Sequence, residues 1–351
     1  MLFFKFGLWT LVNVAVARDK FQSKRIGNYE YQELVTPIVK SAADDREYLG
    51  LVLSNKMGVL LVSDPKTVSA SATLDVAVGY MADPKSMPGL AHFCEHLLTM
   101  GTKKYPKVNA YEEYLGLHGG RSNAGTTYAN TNYHFSVNHS SLEGALDRFS
   151  QVFINPLFSK ESVAKEANVV NSEYKGQTQI DLFKTNQVQK HTLNQSHTFS
   201  RFGASNYDSI YKIPKSKGVD PRQEITKYYN KYYSANQMQL VVLGRESIEQ
   251  LKNMTIPRFS NVRNSNISRP SIPFSPFSKD NLPVEIDINP VENSQELIIQ
   301  FPLPSQVKHH KEKPMQLINH FLDHESTGSI TEYLKKVGWA TSISTWSSEK
   351  H

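Results

Sequence analysis

The stretch GLAHFCEHLLTMG, Gly89 to Gly101, decides how the rest of the chain is read. It holds two histidines four residues apart, His92 and His96, with Glu95 directly before the second. On an α-helix, residues i and i+4 lie one above the other on one face, so the two imidazoles would converge. The spacing predicts such a helix, because Leu90, Phe93, Leu97 and Met100 recur at helical intervals and form its expected buried stripe. Ser86 is the expected N-cap, Pro88 suits the first turn and Gly101 suits the stop. Cys94 lies two residues from each histidine and is expected to face away from the pair.

Two neutral imidazoles, a third protein ligand and one open position make a catalytic zinc site. Read backwards, His-x-x-Glu-His is the HExxH order of zinc peptidases, with the carboxylate free to take a proton from activated water. The competing reading is a chance match, since three fixed positions in five specify little alone. A third ligand is sought on the predicted helix from Ser162. There Glu166 and Glu173 stand two turns apart on one face, and Val163, Val169 and Val170 can pack against the core. Either glutamate could reach an ion while the other supports the site, but spacing alone favours two solvated surface groups.

The surrounding chain is globular in composition. Of 351 residues, 39% are hydrophobic and 21% charged, enough for one large or two ordinary domains. The net charge of +6 is spread along the chain, and no nucleic-acid motif is present. Cys94 is the only cysteine, so no intrachain disulfide can form. MLFFKFGLWTLVNVAVA, residues 1–17, reads as a signal peptide cleaved before Arg18, and is too short and interrupted for a stable membrane span. Sequons at Asn138, Asn194, Asn253 and Asn266 are compatible with secretion; a cytoplasmic location is the alternative.

Residues 48–66 read as two strands about a turn at Asn55–Gly58, and SASATLDVAVGYM as another strand. Helices are expected in NAYEEYLGLHGG, LEGALDRFSQVF and SKESVAKEANVVNSEYKGQ, paired strands in RSNAGTTYANTNYHFSVNH, and a strand in MQLVVLGR. Residues 256–283, dense in Pro, Ser and Asn, read as a linker. Beyond it, strand SQELIIQFPL, helices around MQLINHFLDH and SITEYLKKVG, and a strand ATSISTW repeat the order of strands followed by a motif helix. HFLDH even echoes HFCEH. The expected organisation is a peptidase domain over 28–255, the linker, and a truncated second copy over 284–351.

DPKSMPGLAHFCEHLLTMGTKKYPKVNAYEEYL, SNAGTTYANTNYHF, LEGALDRFSQVFINPLF and EANVVNSEYK together resemble the insulysin group of the pitrilysin metallopeptidase family, from about Asn28 to the end. The resemblance implies an α+β pitrilysin-like fold, a mixed sheet packed with helices. It implies one Zn²⁺ per chain, held by His92, His96 and Glu173, with Glu95 as general base and Glu166 supporting. It implies that SNAGT is an edge strand to which substrate peptide adds, with Asn123 and Ala124 bonding it. It places an exosite near Asp323, Glu325, Ile343 and Thr345. A rival reading makes His320 and His324 a second metal site.

Two departures bear on activity. Relatives carry an aromatic residue where this chain has Gly125, which removes one wall of a side-chain pocket. Full-length relatives also have four such domains, and their C-terminal half supplies an arginine and a tyrosine to the reaction. The expectation is a zinc metalloendopeptidase of small peptides. The alternative is a weak or inactive peptide-binding half that needs a C-terminal partner, and homo-oligomers are a further partner expectation.

Overall fold

A computed structural model describes residues 20–270, 275–277, 282–291 and 295–347. The expected signal segment, 1–17, lies outside the described residues. No helix among them is long and apolar enough to cross a membrane. The chain divides into two compact units, residues 1–292 and 293–351.

The first unit is built on an eight-stranded mixed sheet. Its strands are β1 (Phe21–Ile26), β2 (Tyr29–Leu34), β3 (Glu47–Leu53), β4 (Gly58–Ser63), β5 (Ser69–Val76), β6 (Arg121–Thr126), β7 (Thr131–Asn138) and β8 (Met238–Gly244), in the spatial order β1-β2-β3-β4-β8-β5-β7-β6. Only β4 and β8 run parallel; every other pair is antiparallel. The β3–β4 turn falls where Asn55–Gly58 predicted it. Asn55 Nδ2 donates to the carbonyls of Phe259 (2.8 Å) and Val262 (2.9 Å), locking the turn to a helix end 200 residues away in sequence.

Helices α1 (Leu90–Leu98), α2 (Ala110–Leu117), α3 (Leu142–Ile154), α4 (Lys160–Gln177), α5 (Asp181–Thr192), α6 (Ile213–Ser216), α7 (Pro221–Tyr232) and α8 (Ile248–Phe259) complete the unit. The strands β5, β7 and β8 alternate strictly between buried and less buried side chains, as sheets covered on one face do. Leu74, Leu240 and Tyr133 stand opposite one another in register on the buried face. Over that face, Phe149 of α3 packs edge-on against Phe135 (5.2 Å between centroids) and Phe153 (5.1 Å). Such aromatic pairs add roughly 0.5–1.5 kcal/mol each beyond their burial.

Several boundaries differ from expectation. Strand β1 precedes Asn28 and pairs with β2 as part of the sheet, so the first domain begins earlier. At its other end α8 runs through residue 255 and buries Ile256 and Phe259, so the packed unit extends into the expected linker. Pro257 does not break this helix. Ser86 does not cap α1; Gly89 holds that position, at φ 91°. A Cβ there would lie 2.7 Å from the carbonyl of Ala204, so glycine is required both by conformation and by space. Val169 is exposed, because Val163, Ala167 and Val170 form the buried stripe of α4 and Val169 falls off it.

The second unit contains α9 (Pro314–Asp323) and α10 (Ile330–Lys336). The two strands expected there, over 294–303 and 340–346, do not form among the described residues. A strand requires a neighbour to satisfy its backbone groups, and the described residues of this unit offer none. Leu297, Phe301 and Trp339 are each more than three-quarters exposed, and Thr331 is the sole buried residue among those described in this unit.

Candidate metal centre

Helix α1 is anchored before it presents its histidines. The buried carboxylate of Asp83 accepts the N–H groups of Gly89 (2.7 Å) and Ala91 (2.8 Å), the donors that a helix start leaves unsatisfied. Ser205 Oγ donates to the Gly89 carbonyl at 2.5 Å, and Arg201 Nη1 donates to the Asp83 carbonyl at 2.9 Å. Burial pushes the Asp83 carboxyl up to about 7, against the pull of those backbone donors. Cys94, as expected, turns into the core and is fully buried.

His92 and His96 then face each other, Nε2 to Nε2, at 3.2 Å. From α4, Glu173 Oε2 approaches His96 Nε2 at 3.4 Å and His92 Nε2 at 3.8 Å. A tetrahedral ion with ligand bonds of about 2.0–2.1 Å has ligand–ligand edges of about 3.3–3.4 Å. The three donor atoms thus form a triangle sized for zinc. Gln177 Nε2 holds the other oxygen of Glu173 at 2.9 Å, which leaves Oε2 free to face the imidazoles. Glu166, two turns earlier and buried, meets His96 Nδ1 at 2.9 Å. That contact favours a proton on Nδ1 and leaves Nε2 for a metal. His92 Nδ1 is buried and has no hydrogen-bond partner.

The electrostatics suit the same donors. Burial, reinforced by neighbouring His96, pushes His92 down to about 4, so it is a neutral ligand at pH 7. His96 goes the other way, to about 9. Burial opposes its charge, but the hydrogen bonds it donates to Glu166 and Glu173 outweigh burial. The hydrogen bond with His96 holds Glu173 below the usual carboxylate range.

Glu95 lies beside this triangle, 8% exposed, and points from α1 toward β6. Burial raises its carboxyl, and a short hydrogen bond from Thr126 Oγ1 opposes that rise. The strand β6 pairs with β7 alone and ends the sheet, so its outer edge is free for a further strand among the described residues. Asn123 stands opposite His134 and Ala124 opposite Tyr133. Asn123 and Gly125 project to the more exposed face, Ala124 and Thr126 to the less exposed one. A Cβ at Gly125 would meet nothing within 4 Å, so the backbone there does not demand glycine.

The second-unit candidates separate. Glu325 pairs with Lys335 at 3.2 Å, Thr345 Oγ1 donates to the Asn319 carbonyl at 3.3 Å, and Ile343 is half-buried. Asp323 keeps one buried oxygen without a partner. His320 and His324 have ring centroids 5.4 Å apart but no third donor. Among the described residues, His92, His96 and Glu173 are the one group of three able to share an ion, and His320 and His324 belong to no such group. Asp83 and Thr126 were not singled out from sequence. Thr126 ends the quoted SNAGT stretch, and Asp83 opens the DPKSMPG run before the helix.

This inverted His-x-x-Glu-His helix, set against a mixed sheet with a glutamate helix beside it, defines a class of metallopeptidase domain, and the comparisons agree. Residues 58–199 match the family model described as Insulinase (Peptidase family M16), and residues 221–350 match the Peptidase M16 inactive domain. The chain belongs to this M16 peptidase family. Within the family it is insulysin-like. It is 40% identical over 332 residues to insulin-degrading enzyme of Drosophila melanogaster, covering 95% of this chain and 34% of that protein. To the human insulin-degrading enzyme it is 43% identical over 320 residues, covering 91% and 31%. The crystal structure of pitrilysin superposes with a TM-score of 0.78 at 30% identity, over 90% of this chain and 33% of that one. The fold is therefore pitrilysin-like, and the chain spans about a third of the length of the relatives it matches.

Proposed function

We propose that this chain carries the zinc site of an insulysin-type metalloendopeptidase that hydrolyses small peptides. The observation that carries the reading is the triangle of His92 Nε2, His96 Nε2 and Glu173 Oε2, with edges of 3.2, 3.4 and 3.8 Å and Glu95 alongside. Those three side chains hold one Zn²⁺, and Glu166 fixes the ring of His96. An ion held there would supply Lewis-acid chemistry, polarising a scissile carbonyl and acidifying water. Glu95 accepts the proton from that water and returns one to the leaving amine. The free edge of β6, at Asn123–Gly125, takes the substrate backbone as an added strand, which holds the peptide in line. The peptidase domain then spans the sheet and its helices, with a partial second domain following. Secretion is supported by the segment 1–17, with the four sequons compatible, and a cytoplasmic location is the alternative.

The half-enzyme reading stays beside this one because of the second unit. Its Leu297, Phe301, Trp339 and Trp346 are each largely exposed, as apolar side chains awaiting a covering partner would be. A C-terminal half or a second copy of the chain would serve as that partner.

Zinc uptake tests the site through pH. His96 must release its second proton before Nε2 can bind the ion, and its pKa is raised to about 9. Zinc affinity, read by competition with a chelator, should rise up to about tenfold per pH unit from pH 7 and flatten near pH 9. His92, neutral above about 4, adds no slope in this window. An affinity independent of pH from 7 to 9 would show that no second proton on His96 competes with the ion in this window.

A further inference from the structure

We propose that Thr126 is the positioning residue for Glu95, tying the base to the free edge strand β6; this rests on the reading of Glu95 given above. The hydroxyl of Thr126 donates to Glu95 Oε2 across the contact between α1 and β6. Glutamate has three side-chain torsions, and a buried carboxylate without a donor is costly, so this bond selects one arrangement. Among the described residues Thr126 is the one side chain that donates to Glu95.

The donor is itself rigid. Thr126 pairs with Thr131 at the closed end of the β6–β7 hairpin. The turn beyond it is locked by the Thr127 N–H on the Asn130 carbonyl at 2.8 Å. Thr131 is fully buried, and its hydroxyl donates to the Val78 carbonyl at 2.8 Å. Threonine is stiff about χ1, so its hydroxyl moves little once the backbone is fixed. Alternation along β6 places Ser122, Ala124 and Thr126 on one face. Ser122 is occupied with Glu112 and Ala124 has no donor, so Thr126 is the residue on this strand that can hold the base.

The consequence concerns geometry between substrate and base. A peptide added to β6 takes its register from the backbone of that strand. Glu95 takes its position from a side chain of the same strand. The scissile bond and the base are thereby fixed to one element, which removes an independent motion between them.

The test uses isotope-labelled full chain at one fixed pH, with the Glu95 carboxyl carbon resonance assigned by its loss in Glu95→Gln. Thr126→Val keeps the shape and deletes the donor; Thr126→Ser keeps the donor. The resonance should shift in Thr126→Val and return in Thr126→Ser, with zinc content equal in all three proteins. In the peptide-cleaving form, Thr126→Val should lower kcat about 10- to 100-fold with KM within about twofold, and Thr126→Ser should restore most of it. An unmoved resonance in Thr126→Val overturns the proposal, as does a loss that Thr126→Ser fails to restore. Absence of zinc from the wild-type chain would instead strike the metal reading, while the carboxyl shift still decides the contact.

Discussion

Glu95→Gln should leave zinc content at the wild-type level and lower peptide turnover by about 10²–10⁴-fold, the range that a positioned general base supplies. Glutamine is nearly isosteric, and its amide oxygen can still accept the bond from Thr126. The neighbouring His96 and the donor triangle are therefore left in place. What is lost is the capacity to take a proton. Burial raises the Glu95 carboxyl, which makes it a stronger base than a surface carboxylate, and the Thr126 hydroxyl opposes that rise. KM should change little, because no substrate contact is removed. Turnover within a few-fold of wild type in Glu95→Gln would exclude Glu95 as the base.

The second large effect concerns what lies outside this chain. The zinc-loaded chain alone should cleave a short fluorogenic peptide at least about a hundredfold more slowly than when the C-terminal half of a related enzyme is supplied in trans. The proposed donors and base all lie within this chain, but the site is open: the Glu173 side chain is 40% exposed. The resemblance to insulysins implies that a C-terminal arginine and tyrosine complete the reaction from the far side. A preorganised donor aimed at a developing oxyanion is worth about 10²–10³ in rate. Enclosure also excludes water from the reacting groups. Turnover by the isolated chain equal to that of a full-length relative, with no gain on adding the other half, would show that this chain is a complete peptidase.

Much of the site was legible because helical spacing is local. His92, Glu95 and His96 follow from one turn of α1, and the seven-residue step from Glu166 to Glu173 follows from two turns of α4. Which of those glutamates faces the histidines was not legible from spacing, because it depends on how α4 packs against α1. Family resemblance named Glu173 as the ligand, and packing places Glu166 on His96 Nδ1 and Glu173 at Nε2. Asp83 and Thr126 act across gaps of several residues or between elements, so no periodicity marks them. The helix start was misplaced for the same reason: a cap supplied by a distant carboxylate leaves no Ser or Thr at the N-cap. The strands of the second unit carry a strand-like pattern, but pairing depends on neighbours that the pattern does not contain. Strands β3 to β8 were legible because alternation and turn residues agreed with the pairing they found.

The central claim is that one zinc ion is held by His92, His96 and Glu173. Metal analysis of the purified, dialysed chain and two variants tests it most directly. The account predicts about one zinc per chain in the wild type, the same in His320→Ala, and almost none in His96→Ala, since two remaining ligands hold the ion poorly. Stoichiometric zinc retained by His96→Ala, or none bound by the folded wild type, would contradict it.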